Sequence, residues 1–427
     1  MVTSFSQPSD SAADRVQAIA HSAYTTSGVL AEFSGSARSK ALKTMSKALV
    51  KRQDDILEAN TLDLEMSLDM AVPGLLLEWL KLTPERLQIA AQILQQLGDM
   101  ADPIQQVMHT PYTVDQCQTY SQLMPLGVIS LIYESFPELG AIATGLCLRT
   151  GNSLILKGGS EASHSNQIMV ETLQDALDEA RLPVESVQLL PSDQGDILRQ
   201  LVTQDRYINL LIPYGRSSLV QQVIRQATAP VLKTAIGNCY LYWSPSASIE
   251  LARWIITDSH QSEPDPVNAI EKVLINRHHN GSALTMLWSS LQEKGFTIKG
   301  DAELVAEFPD LGLVEEDEWQ QAYLDNTIAF KMTDSLDLAI DWINHHSNGH
   351  ADCIATESYG ESHRFARRVN SATTYINASP RFSRSPGVGK PVFLGMSNQK
   401  GQRRGPISLE TLTTIKQIVQ GSGSSGS

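Results

Sequence analysis

The hydrophobic positions along the chain change their spacing near residue 125. Before that point, residues 12–69 carry apolar side chains at intervals of three and four, which predicts helices. Pro73-Gly74 interrupts the pattern, and a further helix is expected from Thr83 to Gly98, because Thr83 is a capping residue followed by proline. The polar stretch 111–124 is typical of one arm of a hairpin. The N-terminal part is therefore expected to be mainly helical.

After residue 125, short apolar runs alternate with amphipathic helices. The segment Gly127–Tyr133 is almost continuously apolar, as in a strand that is buried on both faces. The predicted strands of the first series are 127–133, 153–157, 187–190 and 207–212. A second series begins near Cys239, and its predicted strands are 272–276, 327–330, 352–356 and 374–377. Repeated alternation of strand and helix predicts an α/β fold with a doubly wound parallel sheet. Such sheets bind ligands beyond the carboxyl ends of their strands, which here lie near Glu134, Lys157 and Pro213.

The composition is that of an ordinary globular protein with an excess of acidic residues. The chain has 427 residues, 42% of them hydrophobic and 19% charged, and its formal net charge is −14. This charge argues against nucleic acid or an anionic membrane surface as a partner, since both require a basic face. No apolar run is long enough to cross a membrane, so no membrane insertion is expected.

The N-terminus and the cysteines favour the cytoplasm. Residues 1–14 lack the basic start and the apolar core of a secretion signal. The four cysteines are scattered without a C-x-x-C motif, so reduced thiols are expected. No metal site is expected, because His345 and His346 are adjacent on a predicted helix and point about 100° apart. The tail 421–427 is interpreted as an engineered flexible linker.

The stretch Glu263–Glu271, which reads E-P-D-P-V-N-A-I-E, lies between a predicted helix and the predicted strand 272–276. A loop on a rigid scaffold is a common place for catalytic groups. The chain carries four further motifs besides the stretch Glu263–Glu271. They are Lys157-Gly-Gly-Ser-Glu-Ala-Ser-His-Ser-Asn166, Ile212-Pro-Tyr-Gly215, Gly237-Asn-Cys239 and Arg404-Gly-Pro406. In combination these motifs resemble the γ-glutamyl phosphate reductases, also called glutamate-5-semialdehyde dehydrogenases, a branch of the aldehyde dehydrogenase superfamily.

The resemblance implies an aldehyde-dehydrogenase-like architecture with three parts. Residues 1–110 and 125–240 would form a Rossmann-like dinucleotide-binding domain, and residues 241–394 an α/β catalytic domain. Residues 111–124 and 395–420 would form a small β oligomerisation flap and a C-terminal arm. A homo-oligomer, a dimer or larger, is therefore expected.

The same resemblance implies a chemistry that this chain lacks in part. The family reduces an acyl phosphate to an aldehyde with NADPH through a covalent bond to a cysteine. Val267 stands where that cysteine belongs, whereas Asn268 is kept. Glu138 takes the place of an oxyanion-hole asparagine, where its charge would repel an oxyanion, and Phe136 takes the place of an arginine that suits anionic oxygens.

These substitutions predict a catalytically inactive member of the family that acts as a binding, regulatory or assembly protein. A true reductase or a glutamate kinase would be the kind of protein partner that such a role implies. The alternative is an active NADPH-dependent reductase that converts γ-glutamyl phosphate to glutamate 5-semialdehyde in proline biosynthesis.

The cofactor-binding side resembles the family more closely. Lys157 would reach the adenosine ribose of NADP(H) or its 2′-phosphate, and the glycines after it would allow close backbone approach. The candidate cofactor-binding residues are Lys157, Gly158, Gly159, Ser160, Pro213, Gly215, Arg216 and Gly237. Lys157-Gly158-Gly159 alone is equally typical of a plain strand-to-helix turn. Arg216 either clamps a phosphate or blocks the pocket.

Overall fold

The computed structural model describes residues 12–109, 117–192, 196–261, 266–385, 387, 389–401 and 403–421. The chain forms two compact units, Met1–Leu232 with Ser385–Leu394 and Ile407–Ser427, and Lys233–Arg384 with Gly395–Pro406. Of the predicted linker 421–427, only Gly421 lies within the described residues.

The division differs from the predicted domain boundaries in several places. Residues 385–394, predicted to be part of the catalytic domain, belong to the first unit. Residues 233–240 belong to the second unit, because the strand that begins at Cys239 pairs inside the second unit's sheet. Residues 395–406, predicted to be part of the C-terminal arm, also belong there, because Met396 pairs with Pro406 and Ser397 with Thr234.

The first unit opens with the predicted helices. Its helices are α1 (Ala12–Glu32), α2 (Gly35–Lys51), α3 (Gln53–Asp69), α4 (Gly74–Leu80), α5 (Pro84–Asp99), α6 (Pro137–Arg149), α7 (Ser163–Glu179), α8 (Ile197–Val202) and α9 (Ser217–Gln226). The Thr83 side chain accepts a hydrogen bond from the Arg86 backbone N–H, which caps α5 as its sequence predicts.

The parallel sheet of the first unit has a dinucleotide-fold order. Its strands are β3 (Val128–Tyr133), β4 (Ser153–Lys157), β5 (Val187–Leu189) and β6 (Leu210–Tyr214), in the order β5-β4-β3-β6. Every residue of β3 is buried, which explains its continuous apolar sequence. The strand order reverses between β3 and β6, which makes that pair the topological switch point. β6 begins later than predicted, because Tyr207 and Ile208 donate backbone hydrogen bonds to Gln204 and close a turn.

A small antiparallel sheet completes the first unit. It consists of β1 (Val107–His109), β2 (Gln118–Pro125) and β16 (Thr413–Gln420), in the order β1-β2-β16. Thr413 pairs with Pro125 and Gln420 with Gln118, so the end of the chain joins the predicted hairpin arm. Residues 110–116 lie outside the described residues.

The second unit holds a longer parallel sheet. Its strands are β7 (Cys239–Trp243), β8 (Ile270–Asn276), β9 (Thr297–Gly300), β10 (Gly312–Leu313), β11 (Thr327–Thr333), β12 (Ala351–Ala355) and β13 (Thr373–Ile376), in the order β10-β9-β11-β8-β7-β12-β13. Its helices are α10 (Ile249–Ser259), α11 (Gly281–Gln292), α12 (Ala302–Glu307), α13 (Leu336–His346) and α14 (Tyr359–Arg368), and a hairpin pairs β14 (Met396–Ser397) with β15 (Gly405–Pro406).

Hydrophobic side chains cover both faces of this second sheet. Ile255 and Leu287, from α10 and α11, pack with Val273 of β8 on one face. Ile340 of α13 packs with Leu274 on the other face. The predicted α/β fold with parallel sheets is confirmed. In the part of the chain that the structure describes, no helix is both long and apolar enough to span a membrane.

Candidate functional site

A cavity of about 400 Å³ lies beyond the carboxyl ends of β4 and β5 in the first unit. It is lined by Gly158, Ser163, His164, Asn166, Gln167, Leu189, Leu190, Pro191 and Ser192. The first turn of α7 supplies polar groups, and the segment after β5 supplies an apolar wall. Cavities of this size and mixed lining suit a small ligand or one portion of a dinucleotide. Of the predicted cofactor-binding residues, Gly158 lies in the lining.

His164 is held at the edge of this cavity by a buried carboxylate. Its Nδ1 lies 2.8 Å from Oδ1 of Asp63, a residue of α3 that is almost fully buried. The same carboxylate accepts the backbone N–H groups of His164 and Ser165 at 3.0 and 2.7 Å. Asp63 therefore caps α7 and fixes the imidazole ring at the same time. The sequence contained His164 within the family-like motif, on the first turn after Gly158, but no role was predicted for it.

The glycines after Lys157 are required by the packing of this chain. A Cβ atom at Gly158 would clash with the amide of Asn166, which is fixed because its Oδ1 accepts the Tyr133 hydroxyl at 2.9 Å. A Cβ atom at Gly159 would clash with the carboxylate of Glu161. These contacts support the interpretation as a strand-to-helix turn, while Gly158 also borders the cavity.

Lys157 and Ser160 lie at the two ends of this turn. The Lys157 ammonium donates a hydrogen bond of 2.8 Å to the Gly158 carbonyl oxygen. Ser160 begins the short 3₁₀ helix Ser160–Ala162, which leads into α7. The turn therefore brings Lys157, Gly158, Gly159 and Ser160 together at one edge of the sheet, as the sequence predicts.

The switch point between β3 and β6 is occupied by an ion pair. Arg216 Nη2 lies 2.9 Å from Oε1 of Glu134, and the Arg216 backbone N–H donates to Oε2 at 2.9 Å. The hydrogen bond to Glu134 raises the pKa of Arg216. A Cβ atom at Gly215, whose φ is +146°, would lie 2.6 Å from Glu134 Oε2. The guanidinium binds Glu134 through Nε and Nη2, and both predicted roles of Arg216 stay predictions. Pro213 lies within β6, paired with Ile132 of β3.

Glu138 points into the interior of the first unit, where a guanidinium group binds it. Its Oε1 lies 2.6 Å from Nη2 of Arg86 and 3.1 Å from Nε. Both side chains are more than nine-tenths buried. The predicted repulsion between Glu138 and an oxyanion is therefore wrong for this structure, because Arg86 neutralises the carboxylate. The Oε2 atom is buried and has no hydrogen-bond partner in the described residues.

Phe136, which takes the place of an arginine in the family pattern, packs against Tyr214. The Phe136 ring stacks on Trp79 with centroids 4.7 Å apart and meets Tyr214 edge-on at 5.6 Å. All three side chains are buried. The aromatic residues at these positions thus complete a core rather than face a charged ligand.

The second unit contains the loop that carries Val267. The Val267 side chain is fully buried, and its carbonyl oxygen accepts the Gly237 N–H at 2.9 Å and His350 Nε2 at 2.8 Å. Asn268 Nδ2 donates to the Pro380 carbonyl oxygen at 2.8 Å. Gly237 thus lies beside Val267, and its predicted contact with the cofactor stays a prediction. Residues 262–265, including Glu263 at the start of the stretch Glu263–Glu271, lie outside the described residues.

The thiol that lies near this loop is buried and protonated. Cys239 Sγ is 3.3 Å from His350 Nε2, and the same nitrogen contacts Val267 O. Since a carbonyl oxygen only accepts, Nε2 carries the hydrogen. Burial raises the pKa of Cys239 well above its usual value and lowers that of His350 to about 4. A neutral imidazole and a buried thiol do not form an activated nucleophile.

A buried lysine follows this loop on β8. Lys272 Nζ lies 3.7 Å from Oε2 of Glu271 and 3.4 Å from the centroid of the Tyr323 ring. Glu271 also accepts backbone N–H groups from Asn238, Tyr323 and Leu324 at 3.1, 2.7 and 2.9 Å. Burial lowers the pKa of Lys272 to about 8, against the opposing charge of Glu271.

Replacing Lys272 with methionine is expected to remove a pH dependence of the protein's stability between about pH 8 and pH 10.5. The folded-state pKa of Lys272 is about 8, below its usual value of 10.5. Between these values the unfolded chain binds a proton that the folded chain does not, so the free energy of unfolding of the wild type rises with pH. Urea denaturation from pH 7 to 10.5 should show this rise in the wild type and lose it in K272M.

The matched control is Lys299→Met. Lys299 also faces Tyr323, at 5.6 Å, but it is partly exposed and bound to Glu318. K299M should keep the alkaline rise in stability. An unchanged rise in K272M would show that Lys272 is not its source.

Comparison with known proteins agrees with the fold and the motifs. The model of the Aldehyde dehydrogenase family matches residues 2–237. Gamma-glutamyl phosphate reductase 2 of Synechocystis sp. is 53% identical over 393 residues, which cover 92% of this chain and 94% of the relative. Gamma-glutamyl phosphate reductase of Gloeobacter violaceus is 37% identical, with 96% and 98% covered.

Solved structures show the same relationship. The crystal structure of gamma-glutamyl phosphate reductase from Thermotoga maritima matches with a TM-score of 0.88 and 30% identity, covering 97% of this chain and 100% of that one. A probable aldehyde dehydrogenase from Listeria monocytogenes shares the fold at 15% identity, with a TM-score of 0.70.

The two parallel sheets, the cavity beside β4 and the loop at Val267 therefore define a protein of the aldehyde dehydrogenase class. Within that class, the chain belongs to the γ-glutamyl phosphate reductase family. Proteins of the class generally bind NAD or NADP. Over the described residues, no group of three or more His, Cys, Asp or Glu side chains is arranged to hold a metal ion.

Proposed function

We propose that the protein reduces γ-glutamyl phosphate to glutamate 5-semialdehyde with NADPH, a step of proline biosynthesis. The observation that carries the proposal is its 53% identity, over 92% of the chain, with a relative named Gamma-glutamyl phosphate reductase 2. This similarity favours the alternative that the sequence left open over the inactive protein that Val267 suggested.

The residues of the first unit fit a dinucleotide. The cavity has a polar side formed by the first turn of α7 and an apolar wall formed by Leu189, Leu190 and Pro191, which suits the polar and aromatic portions of adenosine. Lys157 and Gly158 border the same turn. NADPH, when bound, supplies a hydride. The chain's own contribution is to bind the nucleotide and to orient it.

Val267 and Cys239, in the second unit, limit the rate at which γ-glutamyl phosphate is reduced. Valine at position 267 forms no covalent bond with an acyl group, and burial keeps Cys239 protonated. The proposed reduction therefore proceeds without a thioester at position 267. Because removing the nucleophile of a covalent enzyme lowers turnover by about 10⁴-fold or more, we expect slow turnover.

The test is NADPH oxidation by protein purified from a host without its own γ-glutamyl phosphate reductase. Glutamate kinase with ATP and glutamate generates the substrate in the assay. We expect a slow loss of NADPH absorbance that scales with protein concentration, needs the kinase, and persists in Cys239→Ser. Loss of activity in C239S with an unchanged melting temperature would assign the chemistry to Cys239. No oxidation above the kinase-only control at micromolar protein would contradict the proposal.

A binding or regulatory protein without turnover is the second candidate function. The buried valine at position 267 is the specific observation that favours it. NADPH binding without any turnover, together with co-purification of a true reductase or a glutamate kinase from the native host, would support it. For either function we propose a cytoplasmic homo-oligomer, a dimer or larger, in which the β1-β2-β16 sheet takes part.

A further inference from the structure

The amino end of α7 borders the cavity, but its backbone groups are already occupied. In many α/β proteins the free N–H groups at such a helix end bind a phosphate. Here the N–H groups of His164 and Ser165 donate to the two carboxylate oxygens of Asp63. These two N–H groups are therefore not available to a phosphate, and a phosphate in this cavity must tolerate the nearby Asp63 charge.

His164 can both donate a hydrogen bond to a phosphate and offset the charge of Asp63. Its Nδ1 is bound to Asp63 at 2.8 Å, so Nε2 is the ring nitrogen that remains for a ligand in the cavity. The side chain of His164 is 43% exposed, whereas that of Asp63 is 2% exposed. When both ring nitrogens carry hydrogen, His164 donates Nδ1–H to Asp63 and Nε2–H to an anion, and its positive charge offsets that of the carboxylate.

The rest of the lining places the anion at the polar end of the cavity. Gln167 lies one turn after His164 on the same face of α7, and Ser163 precedes it. Leu189, Leu190 and Pro191 form the apolar wall, which suits a flat aromatic base. A base against that wall places its ribose and the ribose phosphate toward His164.

We propose that His164, oriented by Asp63, recognises the 2′-phosphate of NADPH and makes the cavity select NADPH over NADH. The proposal deepens the proposed function and rests on it, because it assumes that the adenosine half of the cofactor occupies this cavity. His164 acts as a specificity-determining residue, and Asp63 as the positioning residue behind it.

The experiment is a calorimetric titration with 2′,5′-ADP and with 5′-AMP, which differ in the 2′-phosphate, followed by NADPH and NADH. His164→Asn retains an amide in the place of Nδ1, to donate to Asp63, but lacks the equivalent of Nε2. We expect H164N to bind 2′,5′-ADP and NADPH about 10–100-fold more weakly, and 5′-AMP and NADH within about twofold. His164→Gln restores a neutral donor near the place of Nε2 and should give an intermediate loss.

His345→Asn, the same change at an exposed histidine on α13, is the matched control and should bind all four ligands as the wild type does. Equal affinity of H164N and wild type for 2′,5′-ADP, or equal loss of both adenosine ligands, would overturn the role of His164 and leave the proposed reduction standing. A wild type that binds neither NADPH nor 2′,5′-ADP would overturn this proposal and the proposed function together. Melting temperatures of the variants show whether each has folded.

Discussion

Replacing Val267 with cysteine is expected to raise NADPH-dependent reduction of γ-glutamyl phosphate by roughly 10³-fold. The main-chain carbonyl oxygen of residue 267 accepts hydrogen bonds from the Gly237 N–H and from His350 Nε2. These contacts do not depend on the side chain at position 267. A cysteine is smaller than valine, and at position 267, unlike Cys239, it stands where the resemblance places the family's nucleophile. The new thiol would let the acyl group form a thioester before hydride transfer. The measurement is kcat/KM in the coupled kinase assay.

The matched control for this prediction is Val267→Ser, which has a similar size but no thiolate. It should show no gain over wild type. Mass spectrometry should find a hydroxylamine-sensitive acyl adduct on residue 267 in V267C alone. If V267C reacts with iodoacetamide at residue 267 yet turns over no faster than the wild type, the missing thiol is not what limits the rate.

Replacing Arg86 with methionine is expected to destabilise the protein by about 3–5 kcal/mol. Arg86 is the cation that neutralises the buried carboxylate of Glu138, at 2.6 Å. It also donates to the carbonyl oxygens of Trp79 and Lys81. Removing it leaves a buried negative charge and two carbonyl groups without their partner. Urea denaturation followed by circular dichroism measures the loss.

Arg52→Met is the matched control for Arg86→Met. Arg52 forms ion pairs with Asp55 and Asp175, but those carboxylates are more than half exposed. Its replacement should change stability by less than about 1 kcal/mol. Glu138→Gln keeps a hydrogen-bond acceptor for Arg86 and should lose less stability than R86M. Equal stability of R86M and R52M would falsify the assignment of Arg86 as the partner on which Glu138 depends.

Much of the fold was predictable because its elements are defined by local patterns. The strand Ser153–Lys157 was predicted with the bounds that the structure shows, because a short apolar run between turns has few other solutions. Several short elements, among them β9, α12 and β10, were not predicted. The strand Thr297–Gly300 has two buried positions, one half-buried and one exposed, and Ile298 is its only large apolar residue, so its sequence lacks a clear period. Pairing with β11 stabilises it.

The candidate site was predictable only in part. The turn at Lys157-Gly158 and the loop at Val267 were found from motifs that are contiguous in sequence. The contact between His164 and Asp63 was missed, because Asp63 lies 101 residues earlier on another helix. Glu138 was predicted to repel an oxyanion, and Arg216 either to clamp a phosphate or to block the pocket. The structure pairs both side chains with residues of the chain.

The sequence by itself determined the class of fold and the absence of a thiol at position 267, because periodicity and side-chain identity are local properties. Only the tertiary structure decided what the charged groups do. Glu138 meets Arg86 across 52 residues, Arg216 meets Glu134 across 82, and His164 meets Asp63 across 101. Such pairs form because packing brings distant segments together and a buried charge requires a partner, and neither condition can be deduced from the neighbours of a residue in the chain.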